Sequence, residues 1–112
     1  QLALAPAASR AGKEPVMNNK EIRRISRRYH IQRLSMFGSG ARGELKPSSD
    51  IDLLVEFQPG KKVSLFAMVD LAGEFSAAFG GRKVDVATTA IFKNQYRKQA
   101  IQKDLKLIYE AT

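Results

Sequence analysis

The sequence predicts an α/β domain (α+β) built on a single core. Short runs with strand alternation, at residues 31–37, 50–57, 82–88 and 105–109, take turns with segments of helical spacing at 18–29, 63–79 and 93–103. Breaks rich in glycine and proline separate several of them, as at Gly38–Gly43, Gln58–Lys62 and Gly80–Gly81. The length of 112 residues, 44% of them apolar and 27% charged, suffices for one core and not for two.

Residues 1–16, QLALAPAASRAGKEPV, show neither helical nor strand period and are expected to be an arm or upstream segment outside the fold, with the domain spanning 17–112. Patterning begins just after Met17, which stands where a natural start is expected. The Leu-Ala-rich piece lacks the basic leader and full apolar core of a secretory signal. No run approaches the ~20 apolar residues that cross a bilayer. There is no cysteine, which excludes disulfides and thiolate metal sites. A soluble, cytoplasmic protein without membrane contact is the expectation.

Asn18 or Asn19 is placed to cap the first helix, and Glu21 sits in its first turn, where a negative charge suits the dipole. Ile22, Ile25 and Tyr29 make its apolar stripe, leaving Arg23, Arg24, Arg27 and Arg28 outside. The arginine face lacks interleaved aromatics and any nucleic-acid motif, so a solvated or protein-facing surface is expected ahead of an RNA contact. His30, the only histidine, falls at the junction with the first strand and reads as a turn residue rather than a catalyst. The longest helix, Val63–Phe79, is expected to bury Leu65, Met68, Val69, Ala72, Phe75 and Phe79, with Gly80–Gly81 ending it. Residues 93–103 form a basic helix around Tyr96, Ala100 and Ile101, and a short strand at 105–109 closes the chain.

The formal charge of +8 is uneven. Residues 1–49 hold ten basic and three acidic side chains, a net +7, and residues 50–112 hold nine and eight, a net +1. Such a front half attracts ATP, nucleic acid or an acidic partner at long range; equally, it serves solubility.

The chemistry lies in Met36–Phe57, MFGSGARGELKPSSDIDLLVEF. Strand alternation puts Asp50 and Asp52 on one face and Ile51, Leu53, Val55 and Phe57 on the other. Two carboxylates about 4 Å apart repel by roughly 4 kcal/mol at a surface-like dielectric, so a cation is expected beside them. Upstream, Gly38 and Gly40 let the chain bend, and the Gly-Ala-Arg-Gly segment is expected to open a short helix whose free amides face an anion. The Ser39 hydroxyl can donate to a phosphate oxygen. Arg42 either touches the same phosphates or pairs with Glu44 or Asp50. In the strand Arg82–Thr88, Asp85 opposes Val84 and Val86, and joins Asp50 and Asp52 if the two strands pair over one core. Three such carboxylates suit Mg²⁺, two ions if it is a two-metal site, held jointly with the phosphates of a nucleoside triphosphate. Asp50, Asp52 and Asp85 are then the metal and catalytic residues, Asp85 as ligand or base, and Gly38 and Ser39 hold the triphosphate.

Gly38-Ser39, ten residues, then Asp50-Ile51-Asp52 resembles the signature of the DNA polymerase beta-type nucleotidyltransferase superfamily, with Asp85 where its third carboxylate falls. The surrounding GSGARGELKPSSDIDLLV and the small size resemble the minimal nucleotidyltransferases, or MNT proteins, over about Asn18–Glu110. Gly40 departs from the pattern, since many relatives carry a larger, often basic residue there. The resemblance implies a small mixed sheet flanked by helices, ATP as substrate with Mg²⁺, and a HEPN-type partner, for which the MNT protein is the antitoxin. In some pairs AMP is transferred to a tyrosine of the partner. Larger members hold tRNA, RNA or an antibiotic with a helical domain, for which this sequence leaves no residues. Two further readings stand beside this one: a non-catalytic antitoxin or RNA-associated module acting by occlusion through the basic front half, and an enzyme modifying a small molecule of aminoglycoside type, whose site calls for a second domain or the dimer cleft of a homo-oligomer.

Overall fold

In a computed structural model, residues 16–112 are described; the expected arm at 1–16 lies outside them except for its last residue, Val16. The element order is α1 (Asn19–Arg28), β1 (Ile31–Phe37), a 3-10 turn (Gly38–Gly40), β2 (Ile51–Phe57), α2 (Leu65–Ala78), β3 (Val84–Thr88), a second 3-10 turn (Thr89–Lys93), α3 (Gln95–Asp104) and β4 (Lys106–Glu110). Four strands form one mixed sheet in the order β3-β2-β1-β4. β1 is antiparallel to β2 and β4, and β2 runs parallel to β3. The last pairing needs a crossover long enough to return the chain to the same end of the sheet, and α2 supplies it.

Side-chain chemistry accounts for the element ends. Asn18 caps α1 by accepting from the Glu21 amide at 3.1 Å, and Ser64 caps α2 by accepting from the Ala67 amide at 3.1 Å. Asn94 caps α3, accepting from the amides of Tyr96 and Arg97. His30 makes the turn between α1 and β1 at φ 58°, a left-handed conformation that His adopts more readily than most residues.

One face of the sheet carries the main core. Ile22 and Ile25 of α1, Leu71, Phe75 and Ala78 of α2, and Phe79 pack on Ile31, Leu34, Met36, Ile51, Leu53 and Val55. Period-two alternation turns Ser35 and Leu54, which are register partners, to the other face. Both are buried, as is Ile101 of α3, and none of the three belongs to the main cluster. α3 therefore covers the face that also bears Asp52.

Three expectations change. Gly38–Gly40 opens no α-helix: a single 3-10 turn is followed by turn and irregular backbone up to Asp50, closed by the Glu44 amide donating to the Ser39 carbonyl at 2.9 Å. Helix-dipole assistance to an anion is thereby lost there. In α2 the buried side is Leu71, Phe75 and Ala78, while Leu65 and Val69 are 83% and 70% exposed. The run Leu65–Val69 is apolar nearly all round, so spacing alone does not choose a face. In α3, Ile101 is buried but Tyr96 and Ala100 are exposed, because the helix touches the sheet along a single stripe.

Candidate active site

The parallel pairing of β2 with β3 sets Asp52 opposite Asp85. Residues opposite each other in register share a face, so the two carboxylates stand side by side at the end of the sheet where both strands begin. Asp50 sits immediately before β2, two residues from Asp52 and on the same side. Burial, then the charges of Asp85 and Asp50, push the Asp52 carboxyl above its ordinary value, while the positive charges of Arg42 and Arg97 pull it back.

The antiparallel pairing of β1 with β2 returns Phe37 opposite Asp52, which sets the following glycine against that carboxylate. Gly38 has φ +75°, and a Cβ built on it would lie 2.5 Å from Asp52 Oδ2. Only glycine fits both conditions. Ser39 follows at the bend, and its hydroxyl has no partner among the described residues. Gly40 is buried, with a Cβ there falling 2.9 Å from Met36 Sδ. Gly40 is thus packed down onto Met36, and no side chain projects from it toward the carboxylates.

Asp50 pairs with Lys83 Nζ at 3.8 Å, the lysine largely exposed and the carboxylate partly buried. Arg42 is already engaged, donating to Glu44 at 2.8 Å and Asp104 at 2.7 Å; of its open alternatives the Glu44 pairing is realised and the Asp50 pairing is not. Both partners hold its guanidinium above its ordinary value, Glu44 most strongly. Its structural effect is to tie the end of α3 to the turn.

Arg82 carries no site role in the sequence reading, yet it organises the approach to Asp50. Its Nη1 donates to the carbonyls of Lys46, Pro47 and Ser49 at 2.9, 3.4 and 3.3 Å. Backbone acceptors leave no trace in the residue pattern. Arg82→Ala is expected to release this loop, lowering stability by about 1 kcal/mol and nucleotidyl transfer by about tenfold. Arg82→Lys keeps the charge but places its donor on a shorter side chain than Nη1, and chemical denaturation beside initial rates compares the two variants.

An oxygen-only donor set with an uncompensated, partly buried carboxylate fits a hard divalent cation such as Mg²⁺. Asp52 and Asp85 would hold it, with Asp50 as the third carboxylate at hand. Among the described residues no three acidic or histidine side chains are grouped closely enough to hold one ion, Asp50 being drawn toward Lys83. Asp52 and Asp85 are thus neighbours in register, while Asp50, just before β2, lies toward Lys83.

The nucleotidyltransferase domain family matches residues 19–108. A Methanocaldococcus jannaschii protein, provisionally named a protein adenylyltransferase, is 36% identical over 93 residues, spanning 83% of this chain and 90% of its own. Protein adenylyltransferase MntA of Thermococcus cleftensis is 32% identical over 85 residues, 76% of this chain and 80% of MntA. Among solved structures, a toxin–antitoxin with AMP-PNP has a TM-score of 0.66 at 21% identity, over 86% of this chain and 76% of that one. A structure provisionally described as a minimal nucleotidyltransferase has a TM-score of 0.61 at 29% identity, over 78% and 85%. The likeness to these structures extends to the mixed sheet with flanking helices expected from the sequence. Since the family match runs from the first residue of α1 into β4, this chain belongs to the nucleotidyltransferase domain family.

Proposed function

We propose that the protein is a Mg²⁺-dependent protein adenylyltransferase that moves AMP from ATP to a hydroxyl of a HEPN-type partner and acts as that partner's antitoxin. The observation that carries the proposal is the register match of Asp52 with Asp85 against the Gly38 bend, in a chain 32% identical to a protein adenylyltransferase. The acceptor hydroxyl attacks the α-phosphorus; a new O–P bond forms, the bond to the β-phosphate oxygen breaks, and pyrophosphate leaves. Asp85, the more exposed of the two register partners, takes the hydroxyl proton, and Asp52, half-buried and fixed in β2, would hold the Mg²⁺ beside the reacting phosphate. Bound Mg²⁺ would offset phosphate charge and favour the ionised acceptor. Gly38 and Ser39 seat the triphosphate at the bend, with catalysis resting on position and charge rather than on covalent chemistry by the protein.

Occlusion through the arginine face is less well supported. Arg24 and Arg28 both reach Glu74 of α2, at 3.5 and 3.3 Å, so two of the four arginines serve to dock α1 on α2. Among the described residues no helix is long and apolar enough to cross a membrane. The test incubates the full chain with Mg²⁺, ATP and the HEPN-type protein, and follows the intact mass of that protein. Stepwise gain of AMP units is expected. Unchanged mass with full inhibition in the absence of ATP would overturn transfer in favour of occlusion.

A further inference from the structure

Asp50, Asp52 and Asp85 repel a triphosphate as strongly as they attract a cation, so the anionic tail needs a basic side chain of its own. Arg42, for which phosphate contact is one of the open alternatives, pairs with Glu44 and Asp104, and Lys83 pairs with Asp50. We propose that Arg97 of α3 receives the β- and γ-phosphates of the bound nucleotide. This inference rests on the nucleotidyl-transfer reading above and adds to it the residue that selects a triphosphate.

The placement follows from helix geometry. Arg97, Ile101 and Asp104 are spaced i, i+4 and i+7 and so lie on one stripe. Ile101 is 5% exposed and seats that stripe on the sheet face bearing Leu54 and Asp52. Asp104, at the far end of the stripe, is bonded to Arg42 just beyond the bend. Arg97 therefore stands one turn, about 6 Å of rise, before the seated residue, over the same face as the carboxylates. Its positive charge is felt at Asp52. Its backbone is fixed by Asn94, which accepts from its amide at 3.1 Å, yet its guanidinium is exposed and makes no ion pair among the described residues. An anchored helix end with a free fork is suited to phosphate oxygens.

Calorimetry of the full chain in Mg²⁺ compares ATP with AMP for the wild type, Arg97→Ala and Arg97→Lys. Arg97→Ala is expected to weaken ATP binding at least tenfold while changing AMP binding less than twofold, and Arg97→Lys to recover most of the loss. Equal losses for ATP and AMP would assign Arg97 a structural part and overturn the proposal. Wild-type affinity for ATP in Arg97→Ala would overturn it while leaving nucleotidyl transfer standing, including where that variant instead loses affinity for the acceptor protein. A wild type that binds no ATP would overturn both.

Discussion

Asp52→Asn is expected to abolish transfer while making the fold more stable. In the proposed mechanism Asp52 would hold the Mg²⁺ that offsets charge on the reacting phosphate, so losing its own charge should lower the rate by about 10³-fold, the upper end of what a single electrostatic contact to a transition state supplies. The stability change has the opposite sign because burial, Asp85 and Asp50 all disfavour the ionised carboxyl. An acid whose value is raised on folding costs nothing while both states are protonated. The cost begins as pH rises through the ordinary carboxylate range and is complete above the raised folded value. At neutral pH without divalent metal, the asparagine variant should melt about 2–4 °C higher, the shift expected for about half a kcal/mol once solvent screening of a half-exposed group is allowed for. The gain should fade toward pH 3. A variant that is both active and no more stable would remove Asp52 from the centre of the chemistry.

Gly38→Ala should disable the site by a different route. A left-handed φ costs a non-glycine residue roughly 1–2 kcal/mol, and the new methyl group would fall on Asp52 Oδ2 at 2.5 Å. The carboxylate must then rotate away or the bend must open. Loss of transfer by about 100-fold or more is expected, with a stability loss of about 2 kcal/mol seen in urea. A double-mutant cycle isolates the contact: in an Asp52→Ala background the conformational cost remains but the clash does not, so the stability loss should shrink. Gly40→Ala is the control. No left-handed φ applies at Gly40, and its only contact under 3 Å is Met36 Sδ, a flexible side chain able to yield. Its cost should be well under that of Gly38→Ala.

These contrasts show where residue patterns inform and where they stop. Strand alternation around Asp52 and Asp85 is visible in the order of side chains, and β1 falls at Ile31–Phe37 as read. Which residues of two distant strands face each other is not visible, because register depends on how α2 returns the chain, and an offset of one residue would turn Asp85 to the core. The bend at Gly38 resembles a helix start by composition, since glycine and serine suit both; the backbone closes into a turn through the Ser39 carbonyl instead. α2 misleads because two neighbouring faces are apolar. The pairing of Arg42 with Asp104 spans 62 residues of chain, which the order of side chains does not reveal. Arg82 is silent for a related reason: it grips carbonyl oxygens, which every residue has.

The pairing of Asp52 with Asp85 joins positions separated by 33 residues through a parallel ladder. Contacts of that separation must wait for loop closure and for the crossover helix to dock. As the chain emerges during synthesis, β1 and β2 can zip locally while half of the carboxylate pair is still missing. Nucleotide capture should therefore report completion of the last quarter of the chain, and a truncation before Val84 would leave the β1–β2 hairpin with α1 and α2 but no carboxylate pair.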